Sequence, residues 1–302
     1  MDKVGLVTIT YNSADVLQPF LDSVWNQTHE NLTLYVVDNL STDTTLDILR
    51  NDKDSRLVVS KNETNFGVAK ANNQGIIKAI DDGCNQILII NNDVEFETTL
   101  IEKLLKVQAD KYCSLVSPKM MYFDNPNHIW YAGSWFDKSK GYLPLHRGMG
   151  ELDKGKYDET VEVEYAPTCC LLAKKEVFKD VGLMNEKYFV YFDDTDFSYR
   201  VWKNSRHKMF YYPDVEFYHK VGSLTKSFDK QKKRTYRGDF FIKQNTRNHV
   251  YFLKQIGSVF SFFFIFWLFL KNNIRFIVNP QIRKNFKTWL LINKSYFEGV
   301  RM

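Results

Sequence analysis

Two groups of acidic residues stand where a carboxylate could do chemistry, and the first of them ends an apolar run. Gln86–Phe96 reads Gln-Ile-Leu-Ile-Ile-Asn-Asn-Asp-Val-Glu-Phe, which predicts a buried strand that carries Asp93 at its carboxyl end. An aspartate there, beside the amides of Asn91 and Asn92, offers oxygen ligands to a divalent cation that holds a diphosphate. The alternative is that these three residues cap the next helix.

The second group is Asp193, Asp194 and Asp196, which precede a predicted helix from Phe197 to Trp202. Carboxylates crowded this closely repel one another, so at least one should have a raised pKa, as a general base near neutral pH requires. The alternative is that they cap the helix and stabilise its positive end.

The elements that must position these acids alternate along the first 117 residues. Helical periodicity separates five predicted strands, which are Val4–Thr10, Leu34–Val37, Leu57–Ser60, Gln86–Ile90 and Ser114–Ser117. Such alternation predicts an α/β fold with a doubly wound sheet. From residue 119 to 165 the alternation stops, which predicts long loops and short strands that form a substrate-specific surface.

Charge is distributed unevenly along the 302 residues. From Lys226 onward there are 16 Lys and Arg against 3 Asp and Glu, so the tail carries +13 and residues 1–225 carry −8. A basic tail indicates an anionic partner, either a membrane or a nucleic acid. The four cysteines have no Cys-x-x-Cys spacing and predict free thiols in a reducing compartment. With no secretory signal found, we expect the catalytic part in the cytosol.

A set of short motifs, taken in order, resembles family 2 glycosyltransferases of the GT-A fold, and within them the rhamnosyltransferase-like subgroup. The resemblance runs from residue 4 to about residue 222. The motifs are Thr10–Ser13, Val36–Asn39, Ser41–Asp43, Asn62–Gly67, Ala71–Gly75, Asn91–Asp93, Gly182, Asn185–Glu186, Asp193–Asp196 and His219.

The resemblance implies a GT-A type, Rossmann-like, doubly wound mixed sheet. The basic and aromatic sequence that follows predicts a helical extension that associates with a membrane. The implied parts are a nucleotide-sugar-binding half (residues 1–117), an acceptor-binding and catalytic half (118–225) and the extension (226–302).

The resemblance also implies roles for individual residues. Asp194, with Asp193 beside it, matches the position of the family's catalytic base, and Asp93 and His219 match metal ligands for Mn²⁺ or Mg²⁺. By itself, a lone histidine is more often structural. Two departures stand out: Asp193–Asp194 replaces the usual Glu-Asp, and Asn91–Asp93 replaces Asp-x-Asp. The implied substrate-binding residues are Thr10, Tyr11, Asn12, Asp38, Asn65, Lys70, Asn92 and Asp196, and for each a capping or solvated role is the alternative.

Aromatic residues are candidates for the acceptor side because their faces stack on pyranose rings. The candidates are Trp130, Tyr131, Trp135 and Tyr142. Core packing explains any one of them equally well.

The tail contains an uncharged segment, Gln255–Leu270, of 16 residues. As a helix it would reach about 24 Å, less than the roughly 30 Å hydrocarbon core, so we expect it to lie in the membrane interface and not to span it. Basic residues from Lys226 to Arg237 and from Lys271 to Lys287 flank it, which favours anionic lipid and excludes nucleic acid. The alternative is packing against the catalytic domain or in a homodimer interface.

The predicted function is inverting, metal-dependent transfer of a hexose from a nucleotide diphosphate sugar to a hydroxyl of a lipid-linked or growing surface polysaccharide. The donor is predicted as dTDP-rhamnose first, then UDP-hexoses, and the location as the inner face of the plasma membrane. A non-catalytic nucleotide-sugar or carbohydrate binder is the alternative. A nicotinamide-dependent dehydrogenase is disfavoured because no Gly-x-Gly-x-x-Gly follows the first strand.

Overall fold

A mixed sheet forms the centre of the protein in a computed structural model that describes residues 2–221, 228–229, 234–235, 238–283 and 285–302. The first part alternates as predicted. Its elements are β1 (Val4–Thr10), α1 (Ala14–Trp25), β2 (Leu32–Asp38), α2 (Thr45–Asn51), β3 (Leu57–Lys61), α3 (Val68–Asp81), β4 (Gln86–Ile90), β5 (Val94–Phe96), α4 (Leu100–Asp110) and β6 (Leu115–Pro118).

The second part consists of short strands with two helices. Its elements are β7 (Met120–Tyr122), β8 (Asn125–Tyr131), β9 (Ser134–Asp137), β10 (Leu143–His146), β11 (Val161–Val163), β12 (Cys170–Lys174), α5 (Lys175–Val181), α6 (Asp193–Asn204), β13 (Met209–Tyr212) and β14 (Phe217–His219). A 3₁₀ turn, Lys138–Lys140, joins β9 to β10.

The central sheet has the order β11-β13-β6-β12-β4-β1-β2-β3. Strands β3, β2, β1 and β4 are parallel, whereas β12 runs antiparallel to both β4 and β6, so the sheet is mixed, as predicted. Every residue of β4 is buried, which explains its uninterrupted apolar sequence. The parallel register places Thr10 opposite Asp38 at the carboxyl ends of β1 and β2.

A second sheet has the order β5-β14-β7-β8, and its strand β5 is the next element after β4 in the chain. Strand β5 begins directly after Asp93 and pairs with β14, so that Val94 lies opposite His219. The next helix, α4, begins only at Leu100. The alternative that Asn91, Asn92 and Asp93 cap a helix is therefore wrong.

Helix α6 begins earlier than predicted. It starts at Asp193 and not at Phe197, so the three aspartates form its first turn. Their placement at the positive end of the helix agrees with the capping alternative as well as with a catalytic one. The buried face of α6 is partly polar, because Thr195, Asp196 and Ser198 are buried together with Phe197. The spacing of apolar residues alone therefore did not show where the helix begins.

The C-terminal part is helical, as predicted. After two short strands, Phe228–Asp229 (β15) and Arg234–Thr235 (β16), it consists of α7 (Asp239–Ile256), α8 (Val259–Val278), α9 (Pro280–Arg283) and α10 (Phe286–Arg301). Helices α7, α8 and α10 pack on one another. Of the predicted basic flanks, the side chains of 226–237 and of Lys284 lie outside the residues that the structure describes.

Helix α8 is longer than its uncharged part. It has 20 residues and reaches about 30 Å, because Lys271 and Arg275 lie within it and charged residues do not end a helix. The expectation of a segment too short to span is thus wrong: α8 is the single helix in the described ranges that is long and apolar enough to cross a membrane, judged by length and composition. Only Ser261 of α8 is buried, so packing against the catalytic domain does not account for its apolar surface.

Candidate functional site

The carboxyl ends of β1 and β2 meet at a buried carboxylate. Asp38 is fully buried and accepts hydrogen bonds from the Thr10 hydroxyl (2.8 Å) and from the backbone N–H of Ser41 (3.0 Å) and its hydroxyl. Thr10 is also fully buried, whereas Tyr11 is exposed. Asp38 and Thr10 therefore fix the shape of this strand end, and direct contacts with a nucleotide base remain a prediction.

The loops beside this strand end are tied together by side-chain amides. Asn12 accepts from the backbone N–H of Thr42 at 2.8 Å, which joins the loop after β1 to the loop after β2. Asn62 bonds to Asn39 at 2.9 Å, and Asn39 donates to the carbonyl of Gly67 at 3.0 Å. These bonds position the loop that carries Asn65 and the start of α3.

Asn65 and Lys70 lie at the start of α3. The Asn65 carboxamide accepts from the N–H of Gly67 at 2.9 Å, which is a turn contact, and the Lys70 ammonium lies 3.9 Å from the ring centre of Phe66. Both side chains are partly exposed. Their predicted contacts with ribose or phosphate stay predictions.

Asn92 connects β4 to β1. It is fully buried and donates to the carbonyl of Ile9 (2.7 Å) and to the hydroxyl of Ser13 (3.2 Å). Its carbonyl oxygen has no hydrogen-bond partner among the described residues. Asn92 thus holds the strand end that presents Asp93.

Asp93 and His219 are brought together by the pairing of β5 with β14. The His219 Nε2 lies 3.4 Å from Asp93 Oδ1, and the N–H of Lys220 donates to the Asp93 carbonyl at 2.8 Å. Both side chains are almost completely buried, and His219 Nδ1 finds no hydrogen-bond partner in the described ranges. The predicted pair is therefore formed by residues 126 positions apart in the chain.

The Asp93–His219 pair fits two ligands of a divalent cation. Two adjacent ligands of an octahedral ion, at roughly 2.1 Å from it, are roughly 3 Å apart, which is close to the observed separation. In the described part of the chain no group of three or more His, Cys, Asp and Glu side chains is arranged to hold a metal. The pair would therefore need oxygens of a bound diphosphate or water to complete the coordination.

Asp194 is held by three donors. The Tyr165 hydroxyl donates to Oδ2 at 2.7 Å, and the N–H and hydroxyl of Thr195 donate to Oδ1 at 2.6 and 3.1 Å. Burial raises the pKa of Asp194, and the Tyr165 and Thr195 hydrogen bonds oppose that rise. The three donors orient the Asp194 carboxylate and favour its charged form, which is the form that can accept a proton.

The other two aspartates of α6 differ from Asp194 in their surroundings. Asp193 is buried, and burial together with the charge of Asp194 raises its pKa. Asp196 is bound by Arg200 Nε at 2.8 Å, and Arg200 also donates to the carbonyls of Val181 and Leu183. The Asp196 carboxylate thus orients Arg200 within α6, and the bonds from Arg200 hold α6 to the end of α5. The surroundings of Asp196 therefore do not support the predicted substrate contact.

A continuous row of side chains joins Asp93 to Asp194. The ring of Trp130 contacts His219 (4.6 Å between centres) and His146 (5.2 Å), and His146 contacts Tyr165 (5.7 Å), the partner of Asp194. Burial lowers the pKa of His146 to about 4, so this imidazole is neutral at physiological pH.

The thiol of Cys169 lies close to both acidic groups. Its pKa is raised by burial first and further by the charges of Cys170, Asp93 and Asp194. The backbone of Cys169 also contacts the segment before Asp93, because its carbonyl accepts from the N–H of Asn91 at 3.1 Å.

The aromatic acceptor candidates separate into two groups. Tyr131 is fully buried and donates to the Tyr165 carbonyl, so it belongs to the core and the prediction for it is wrong. Trp135 is 36% exposed, and Trp130 and Tyr142 are partly exposed. These three remain candidates.

The sequence did not identify three residues that contact the acidic groups or the segments that position them. Tyr165 and His146 lie in segments without periodicity, and Asn248 lies in the predicted extension, where it donates to the carbonyls of Val190 and Tyr191 just before α6. Only the aromatic enrichment of residues 119–165 pointed to the first two.

Comparison with known proteins identifies the family of this chain. Residues 6–182, more than half of the chain, match the family described as glycosyl transferase family 2. The chain belongs to glycosyltransferase family 2. The resemblance inferred from the motifs is thereby confirmed, as is the fold.

Two curated relatives of this family 2 chain are named as sugar transferases. The low-salt glycan biosynthesis hexosyltransferase Agl10 of Haloferax volcanii is 23% identical over 66% of this chain and 62% of its own length. The dTDP-rhamnosyl transferase RfbF of Shigella flexneri is 24% identical over 73% of this chain and 70% of its own length. The chain thus spans less than two thirds of the first relative.

Solved structures share the fold of this family 2 chain at low identity. Staphylococcus aureus TarS 1–349 in complex with UDP superposes with a TM-score of 0.58 at 18% identity, over 83% of this chain and 65% of that one. GalNAc-T7 with UDP, GalNAc and Mn²⁺ superposes with a TM-score of 0.58 at 14% identity, over 82% of this chain and 51% of that one.

Proposed function

We propose that this chain transfers a hexose, with inversion, from a nucleotide diphosphate sugar to a hydroxyl of a lipid-linked or growing surface polysaccharide. The observation that carries the proposal is the row Trp130–His146–Tyr165, which connects the Asp93–His219 pair to Asp194. One acidic group can then face the leaving diphosphate while the other faces the incoming alcohol.

In the proposed reaction Asp194 takes the proton of the acceptor hydroxyl. The acceptor oxygen forms a bond to the anomeric carbon on the side opposite the diphosphate, the bond from that carbon to the diphosphate oxygen breaks, and its electron pair leaves with the nucleotide diphosphate. The raised pKa that burial gives Asp194 makes it a stronger base than an exposed aspartate. Tyr165 and Thr195 keep the carboxylate in one orientation.

Asp93 and His219 would hold a divalent cation, Mn²⁺ or Mg²⁺, on the diphosphate. When bound, such a cation neutralises charge that develops on the leaving phosphates. Asn92 supports this site by fixing the end of β4 to β1. The solved neighbour GalNAc-T7, whose structure contains UDP, GalNAc and Mn²⁺, supports this choice of ion.

For the donor we propose dTDP-rhamnose first and UDP-hexoses second. The rhamnosyl transferase relative supports the former, and the UDP of the TarS structure supports the latter. Thr10, Tyr11, Asn12, Asp38, Asn65 and Lys70 line the strand ends and loops on which we propose that the nucleotide lies.

We further propose that α8 places the enzyme on the inner face of the plasma membrane, where a lipid-linked acceptor would be present. Phe262, Phe263, Phe266 and Trp267 of α8 are each more than half exposed. An apolar surface of this kind beside Lys271 and Arg275 suits anionic lipid.

The function is tested by a donor panel. The purified full chain is incubated with dTDP-rhamnose, UDP-glucose or UDP-GlcNAc, with and without Mn²⁺, in the presence of a membrane extract as acceptor, and release of nucleotide diphosphate is measured. We expect Mn²⁺-dependent release with one donor, and loss of at least about 100-fold in Asp194→Asn with retained donor binding. Equal turnover by Asp194→Asn would remove Asp194 from the base role, and binding without any turnover would favour the non-catalytic binder.

A further inference from the structure

Immediately before the catalytic helix α6 the backbone adopts an unusual conformation. Tyr191 and Phe192 have φ values of +66° and +71°, which is the left-handed region. Side chains with a Cβ disfavour this region, so two consecutive aromatic residues keep it only where neighbouring groups hold them. Asp193 and Asp194 follow directly, and their direction depends on this turn.

One side chain from the C-terminal helix α7 holds the turn. Asn248 is fully buried, and its amide nitrogen donates to the carbonyl of Val190 at 2.9 Å and to that of Tyr191 at 2.8 Å. The Arg247 Nε donates to the side-chain oxygen Oδ1 of Asn248 at 3.0 Å, which orients the side-chain amide so that both of its hydrogens face the turn. Two consecutive carbonyls are thus satisfied by one group.

The neighbours of Asn248 on α7 contact the same segment. His249 stacks on the ring of Phe192 with 5.4 Å between ring centres, and Phe252 contacts that ring at 5.8 Å. Tyr251 accepts a hydrogen bond from Asn185 at 3.1 Å and packs on Tyr188. Helical spacing places residues 248, 251 and 252 on one face, so α7 presents a continuous surface to residues 185–192.

We propose that Asn248 is a positioning residue for catalysis. It acts through the Tyr191–Phe192 turn, which aims the carboxylate of Asp194 at the acceptor, and it touches neither substrate nor reacting atoms. This inference rests on the proposed role of Asp194 as the base. It assigns α7, which the sequence placed in a membrane-associating extension, to the catalytic unit.

The test compares Asn248→Ala and Asn248→Asp with a matched control, Asn245→Ala. Asn248→Asp keeps the size and the oxygen facing Arg247 but cannot donate to the two carbonyls. Asn245 is the same residue type one turn earlier on α7, partly buried, and its amide donates to Phe241 within the helix. Within the described part of the chain its side chain bonds to its own helix and not to the turn before α6, which is why it serves as the control.

Steady-state kinetics give the first readout. We expect kcat to fall about 10- to 100-fold in both Asn248 variants while KM for the donor stays within twofold, because a misplaced base slows the chemical step without removing the nucleotide site. Asn245→Ala should stay within twofold in both constants. Wild-type kcat in the Asn248 variants, or equal losses of kcat and donor affinity, would overturn the proposal.

Amide hydrogen exchange gives a second readout that needs no activity. Peptides covering 188–194 should exchange at least about 10-fold faster in the Asn248 variants, with peptides covering β4 unchanged. Unchanged exchange at 188–194 would overturn the proposal. The proposal would also be overturned if both Asn248 variants failed to fold while Asn245→Ala folded, because Asn248 would then serve overall stability. If the wild type transfers no sugar from any donor, the proposed function fails, and hydrogen exchange still decides whether Asn248 holds the turn.

Discussion

At the scale of single residues, the protonation of Asp194 is governed by its neighbours. Burial raises its pKa, and the hydroxyl of Tyr165 is the main group that opposes this rise. The hydroxyl stabilises the charged form, which is the form that can accept the acceptor's proton. Activity should therefore be lost as the pH falls through the pKa of Asp194.

Tyr165→Phe tests this link. Removal of the hydroxyl raises the pKa of Asp194 further, so the acid limb of the pH profile of kcat/KM should move to higher pH. Tyr211→Phe is the matched control, because that tyrosine is also fully buried but donates to the carbonyl of Tyr157. A profile of Tyr165→Phe that overlies the wild type would show that the hydrogen bond does not govern the base.

Some site residues could be predicted from the sequence, and others could not. Asp93, His219 and Asp194 were named from strand ends and ordered motifs, and the sheet pairing brings Asp93 and His219 together. The environment of Asp196 could not be foreseen, because its partner Arg200 is identified only once α6 begins at Asp193. Tyr165 and Asn248 are set by tertiary contacts that have no local pattern in the sequence.

At the scale of elements, the start of α3 meets the loop before α6 very closely. Gly67 has a φ of +81°, and a Cβ built on it would lie 2.3 Å from the carbonyl oxygen of Phe189. The N–H of Val68 donates to that same carbonyl at 2.6 Å. The start of α3 and the loop before α6 are thus in direct backbone contact at Gly67.

The substitutions Gly67→Ala and Gly83→Ala distinguish the energetic cost of backbone strain from that of a steric clash. Gly83 also has a positive φ, +86°, but a Cβ there would meet nothing within 4 Å. We expect Gly83→Ala to lower the free energy of unfolding by about 1 kcal/mol and Gly67→Ala by about 2 kcal/mol or more, because the latter adds a steric clash to the backbone strain. Urea denaturation measures both, and equal losses would contradict the close contact.

The regular elements of the first half could be predicted because their apolar spacing is strong. Strand β4 was predicted with its observed bounds, since its residues are all buried and polar residues follow at once. The start of α6 was missed by four residues because buried polar side chains hide the helical period there. The uncharged run Gln255–Leu270 was taken for one helix, but Gly257 and Ser258 separate α7 from α8 within it, and α8 continues beyond Lys271.

At the scale of the whole molecule, an acidic catalytic part is joined to a basic tail with an exposed apolar helix. One face of α8 packs on the rest of the chain through Phe264 and Phe269, whereas the opposite face is exposed: Phe263 and Phe266 are 69% and 59% exposed. Transfer of two such rings into lipid would contribute about 3 kcal/mol or more. Anionic headgroups would add attraction to the tail that weakens as salt rises.

A double substitution, Phe263→Glu with Phe266→Glu, should reduce binding to phosphatidylglycerol vesicles at least about 100-fold. The measurement is vesicle co-sedimentation without detergent at moderate salt. Ile77→Glu is the control, since Ile77 is 46% exposed on α3 in the catalytic part and should leave binding unchanged. Full recovery of the wild type in the soluble fraction would contradict the membrane proposal, and a dimer that the double substitution dissociates would assign α8 to a homodimer interface.

The central claim is that Asp93 and Asp194 serve opposite ends of one transferred sugar. Calorimetric titration of the preferred nucleotide sugar into wild type, Asp93→Ala and Asp194→Asn, with and without Mn²⁺, tests it most directly. We expect Mn²⁺ to tighten binding at least about 10-fold in the wild type and in Asp194→Asn, and to have no effect in Asp93→Ala. Undiminished tightening by Mn²⁺ in Asp93→Ala would contradict the claim.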